Sequence, residues 1–132
     1  MKTIESFTQI TLRTSGMRFT EEYEILMQGE KAQVSQYGIR YNGKADEREL
    51  LHRALCSPER VLELLNRCQL LKWDGFRGAH PKGVLDGIMF TLTAMVNGEQ
   101  RIRAEGSENF PKHYREFTDG LYAILHDQGA KQ

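Results

Sequence analysis

Residues 73–86 read Trp-Asp-Gly-Phe-Arg-Gly-Ala-His-Pro-Lys-Gly-Val-Leu-Asp and form the one long irregular segment of the sequence. Trp73 and Phe76 offer stacking surfaces, Arg77 a cation, His80 an imidazole, and Asp74 and Asp86 carboxylates. Paired carboxylates with an imidazole can bind a cation or move a proton, so one reading makes this loop the acid/base or metal-dependent centre of a small enzyme. Ordered loops of this length are often functional. The competing reading gives Trp73 to the core and makes Asp74-Gly75 and Asp86-Gly87 turn dipeptides. The spacing fits no recognised ligand pattern, and the sequence contains no His-Glu-x-x-His, Cys-x-x-Cys, phosphate-binding loop, Gly-x-Ser-x-Gly or dinucleotide fingerprint.

A second set of candidates lies on a hairpin over residues 87–105. Ile88, Phe90, Leu92, Ala94 and Val96 alternate with Met89, Thr91, Thr93 and Met95, and Asn97-Gly98 marks the turn. Arg101 and Arg103 then share the outer face with the threonines and methionines. Two arginines supply a small phosphate-binding term, and Glu99 and Glu105 oppose it, so nucleic-acid binding is the weaker use of this face. If the face is uncovered, Met95 and its neighbours suit a protein partner, because thioethers adapt their shape. A two-residue turn would set Leu92 against Arg103. A three-residue loop of Val96, Asn97 and Gly98 pairs Leu92 with Ile102 and keeps the inner face apolar.

These residues need a scaffold, and the alternation of apolar residues supplies one. Ile10 and Leu12 mark a first strand ending at Ser15-Gly16, and Phe19, Tyr23, Ile25 and Met27 a second ending at Gly29. Tyr37, Ile39 and Tyr41 give the apolar face of a third, which ends at Asn42-Gly43, and residues 45–55 are read as a fourth. Ser57-Pro58-Glu59 opens a helix expected to run from residue 58 to 71, with Val61, Leu64, Leu65 and Cys68 on its buried face. A last helix, with Pro111 as its first residue, carries Tyr114, Phe117, Leu121, Ile124 and Leu125 and ends near His126. Asn109 or Ser107 is expected to serve its free amides, with Phe110 packed as a staple. Residues 127–132 read as a frayed tail.

From Tyr41 to Leu125 the pattern resembles a group of small bacterial proteins of unknown function. The shared features are Ser57-Pro58-Glu59, Trp73 with Gly75-Phe76, Val84-Leu85-Asp86-Gly87, the strand from Phe90 to Val96 with Asn97-Gly98, and Gly106-Ser107-Glu108-Asn109-Phe110-Pro111. The resemblance implies the order strand, helix, two strands, helix, supports the strand over residues 45–55, and carries no activity.

The chain of 132 residues fits a single domain spanning 1–132, and an apolar fraction of 39% is enough for one core. Lys plus Arg and Asp plus Glu are 18 each, so a global polyanion-binding role is not favoured. The sequence has no apolar run of membrane-spanning length and no signal-like start, and its two cysteines, Cys56 and Cys68, read as free thiols, so the expected setting is the cytoplasm. The expected fold is α+β, an antiparallel sheet of about six strands with two helices in the order β-β-β-β-α-β-β-α. The expected function is that of a non-catalytic binding or regulatory module acting through protein contacts, with no cofactor and no metal. Its candidate binding residues are Trp73, Asp74, Phe76, Arg77, His80, Asp86, Met95, Arg101 and Arg103.

Overall fold

The computed structural model describes residues 3–16, 19–41, 43–83 and 87–127, so Asp86, Asn42 and the tail from residue 128 lie outside the described residues. Strands β1 (Phe7–Ser15), β2 (Thr20–Gln28), β3 (Lys31–Tyr41) and β4 (Asp46–Cys56) come first, followed by helix α1 (Pro58–Arg67) and a 3-10 turn (Leu70–Trp73). Strands β5 (Arg77–Gly78), β6 (Met89–Val96) and β7 (Gln100–Ser107) and helix α2 (Tyr114–Asp127) complete the α+β chain in the expected order. The sheet has seven strands rather than about six, in the order β4-β3-β2-β1-β6-β7-β5.

The extra strand comes from the segment expected to be irregular. Asp74 Oδ1 accepts from the Arg103 amide at 3.0 Å. The Gly75 amide donates to the Arg103 carbonyl at 2.9 Å, and the Glu105 amide donates to the Phe76 carbonyl at 3.0 Å. Residues 74–78 thereby satisfy the outer edge of β7, which would otherwise present a row of unpaired peptide groups. β5 runs parallel to β7, with Arg77 beside Glu105 and Gly78 beside Gly106, whereas the other strand pairs are antiparallel.

One face of the sheet carries the core. Ile10 and Leu12 of β1, Ile25 of β2, Val34 of β3, Leu92 of β6 and Ile102 of β7 are buried beneath Val61 and Leu65 of α1, Trp73, and Phe117 and Leu121 of α2. In β3 the expected face is reversed. Val34 pairs with Ile25 and Ala32 with Met27, which puts the small side chains toward the helices and sends Tyr37, Ile39 and Tyr41 to the other side. Both helices contact β3 on the side of Ala32 and Val34. Phe19 lies outside β2 and is 48% exposed, while Tyr23, Ile25 and Met27 face the core as expected.

The β6–β7 loop also differs from expectation. Leu92 faces Ala104 and Val96 faces Gln100, so the three loop residues are Asn97, Gly98 and Glu99 rather than Val96, Asn97 and Gly98. Both registers bury the same face, so burial rejects Leu92 opposite Arg103 but cannot choose between them. Turn chemistry decides. Asn97 and Gly98 both take positive φ, 49° and 86°, and Asn97 also receives the N-terminal segment, accepting from the Glu5 amide at 2.7 Å and donating to the Thr3 carbonyl at 3.1 Å.

The helix boundaries shift for reasons visible in the packing. Ser57 caps α1 as read, its Oγ accepting from the Arg60 amide at 3.3 Å. The helix ends at Arg67 instead of residue 71, because continuing it would bring Lys72 onto the stripe of Val61, Leu65 and Cys68. A left-handed Gln69 (φ 56°) breaks it and turns Leu70 and Trp73 inward instead. α2 starts at Tyr114 rather than Pro111. Phe110 stacks on Phe90 at 5.5 Å and packs tilted against Tyr114 at 4.6 Å, the staple expected of it, and the chain then turns through His113 (φ 71°) before its carbonyl accepts the Phe117 amide at 3.0 Å.

Cys56 and Cys68 are free thiols. Burial pushes Cys68 up to about 11, with Glu116 adding to the effect, and burial raises Cys56 as well. The folded chain therefore keeps a proton that the unfolded chain releases near its ordinary value of 9.0. Stability is intact below about pH 9 and is lost as pH rises toward 11. Half-buried Tyr23 and Tyr114, both raised chiefly by desolvation, extend the loss further into alkali. Thermal melts from pH 8 to 11 should fall less steeply for Cys68→Ala than for the parent, and identical slopes would remove Cys68 from this account.

Candidate functional site

Paired residues on neighbouring strands share a face, so the ladder that buries Leu92 with Ala104 turns their sequence neighbours outward. Met95 lies opposite Arg101, Thr93 opposite Arg103, Thr91 opposite Glu105 and Met89 opposite Ser107. β1 extends this surface with Gln9 beside Met95 and Thr11 beside Thr93, and β5 adds Arg77 beside Glu105. Among the described residues, no helix lies over this face.

Shallow concavities lie along this surface. The first, about 220 Å³, is lined by Gln9, Thr93, Met95, Arg101 and Arg103. The second, about 390 Å³, is lined by Arg77, Met89, Thr91, Glu105 and Ser107. His80 reaches this end, where its Nδ1 lies 2.7 Å from Ser107 Oγ. The fold thus brings together Arg77, His80, Met95, Arg101 and Arg103, five of the nine residues singled out from the sequence.

Three others serve the scaffold. Trp73 is 2% exposed, and its Nε1 donates to the Lys112 carbonyl at 3.1 Å. Asp74 spends Oδ1 on the Arg103 amide, and Phe76 packs against Phe90 with ring centres 6.2 Å apart. The ninth, Asp86, is outside the described residues. Among the described residues, no group of three or more His, Cys, Asp or Glu side chains is arranged to hold a metal ion.

The other half of the open face carries a polar network that sequence reasoning missed. Arg48 pairs with Glu22 at 2.9 Å and lies 4.0 Å over the Tyr37 ring. The hydrogen bond to Glu22 is the main reason its guanidinium is held above its ordinary pKa. Arg53 donates to Ser35 Oγ and to the Tyr37 hydroxyl, both at 2.9 Å, and Arg13 reaches Asp46 at 2.8 Å. Glu22 and Glu24 alternate with Tyr23, Ile25 and Met27 and so face outward. Their partners on β4 depend on a bulge in the β3–β4 pairing between Gln36 and Tyr37, which no local pattern announces.

The two halves differ in how their charges are spent. On β3 and β4, Arg48 and Arg53 are engaged by acids or hydroxyls of the same face. On β5, β6 and β7 no ion pair among the described residues engages Arg77, Arg101 or Arg103, and Glu105 is the one outward acid. No helix among the described residues is long and apolar enough to cross a membrane. No protein-family model matches the chain, and no curated protein or solved structure matches it.

Proposed function

We propose that this domain is a non-catalytic binding module that takes an acidic segment of a protein partner on the open face of β1, β6, β7 and β5. The observation that supports this reading is the combination on one uncovered surface of Arg77, Arg101 and Arg103, free of ion pairs among the described residues, with Met89 and Met95. Guanidinium groups recognise carboxylates in a fixed fork geometry, and thioethers adapt to apolar side chains between them. A single-stranded nucleic acid is less well served, because its bases need aromatic platforms. Among the described residues, no Phe, Tyr or Trp side chain faces out from these four strands.

The test is fluorescence anisotropy with a labelled peptide of alternating Glu and Leu, a Lys/Leu peptide of the same length, and a single-stranded 12-mer oligonucleotide. The acidic peptide should bind, and the basic one should not. Replacing Arg101 and Arg103 together by Ala should weaken binding about tenfold or more, because charge-assisted hydrogen bonds contribute about 1.5–3 kcal/mol each. Tighter binding of the oligonucleotide would move the assignment to nucleic acid, and acidic-peptide binding unchanged in the double variant would remove this face from it.

A further inference from the structure

A concavity of about 640 Å³ lies on the helix side of the sheet, where α2 begins. That volume is in the range of small-molecule sites, about 300–1,000 Å³. Phe19, Ile88, Phe110 and Tyr114 form its apolar walls, with Phe19 48% and Ile88 39% exposed.

The polar groups on the walls divide into spent and unspent. Both acids have partners, a neutral amide for Glu21 and the Arg67 and His113 side chains for Glu116. Glu21 accepts from Gln36 Nε2 at 3.3 Å, and Glu116 is held by Arg67 at 3.3 Å and by His113 at 3.0 Å. The unspent groups are donors. Thr14 is only 9% exposed, lines the groove, and has no hydrogen-bond partner for its hydroxyl among the described residues. Arg115 lines the same groove without an ion pair among those residues. In the first turn of α2 the Tyr114 and Phe117 amides are bonded to the Pro111 and His113 carbonyls, which leaves the Arg115 and Glu116 amides. A 14-residue helix also presents the positive end of its dipole here.

We infer that this groove is a binding site for an amphipathic organic anion, a carboxylate or sulfonate carried on an aromatic or branched apolar body. The anionic head sits at Thr14, Arg115 and the first turn of α2, and the body lies against Phe19, Ile88 and Phe110. The site is separate from the open face, on the other side of the sheet.

The experiment uses 8-anilinonaphthalene-1-sulfonate as the anionic probe and N-phenyl-1-naphthylamine as its uncharged counterpart, followed by fluorescence and by amide chemical shifts. The sulfonate should saturate at one per chain and shift the amides of Thr14, Arg115 and Glu116. Arg115→Gln and Thr14→Val should each weaken it about fivefold or more while leaving the uncharged probe unaffected. Circular dichroism confirms that both variants fold, and Arg115, being exposed, gives a variant whose folding is not at risk. Equal affinity for the two probes, sulfonate binding unchanged in Arg115→Gln, or shifts centred on Thr93 and Arg101 would overturn the assignment.

Discussion

Replacing Trp73 by alanine is expected to cost about 3–5 kcal/mol of folding stability and to lower the melting temperature by about 10–20 °C. The indole is 2% exposed and stands at the junction of three elements. Its ring lies 6.0 Å from Tyr114 in a stacked arrangement and 5.5 Å from Phe117 edge to face, and its N–H holds the Lys112 carbonyl at 3.1 Å. Alanine removes the transfer energy of the ring and leaves a cavity that α2 cannot fill without moving. Trp73→Phe separates the two contributions, since it keeps an aromatic ring but loses the hydrogen bond, worth about 0.5–1.5 kcal/mol. Acidic-peptide affinity of the folded fraction should be unchanged in both variants. A large drop in affinity with little change in melting would return Trp73 to the binding surface, the role that its place in the loop first suggested.

Trp73 shows why the scaffold was more legible than the site. The stripe of Val61, Leu64, Leu65 and Cys68, the Ser57 cap and the alternation in β1 and β6 are local, and each specifies its element without reference to the rest of the chain. Where residues 74–78 lie depends on β7, whose edge is offered only after the hairpin has formed. Asp74 then accepts from the Arg103 amide of that edge, and Arg77 is carried to the rim of the open face. Met95, Arg101 and Arg103 were legible because alternation alone turns them outward. That they remain uncovered follows from both helices packing on one side, a consequence of topology and of the small residues Ala32 and Val34 on the inner face of β3.

The clearest case of backbone rather than side chain setting the structure is the connection from β7 to α2, where Gly106→Ala is expected to destabilise more than Asn109→Ala. Asn109 does not cap α2, which begins five residues later at Tyr114; its Nδ2 donates instead to the Ala79 carbonyl at 3.2 Å, from an exposed position. Losing that bond should cost about 0.5–1.5 kcal/mol at most, since water can replace it. Its backbone is another matter. Gly78 and Gly106 are partners in the β5–β7 ladder, and both receive Asn109 against their α-carbons. A methyl on Gly78 would lie 2.5 Å from the Asn109 carbonyl oxygen. One on Gly106 would collide with that same oxygen and come within 2.8 Å of the Phe90 ring. A peptide carbonyl cannot rotate aside as a side-chain tip can, so Gly106→Ala should reach the upper end of overpacking costs, about 3 kcal/mol, and Gly78→Ala somewhat less. The Gly78 variant should also loosen β5 and with it Arg77, lowering acidic-peptide affinity in molecules that remain folded. Urea melts of the three variants give the order Gly106→Ala, Gly78→Ala, Asn109→Ala from most to least destabilised. The reverse order would mean that the Asn109 side chain, not the cradle of paired glycines, holds the turn and the edge of the open face together.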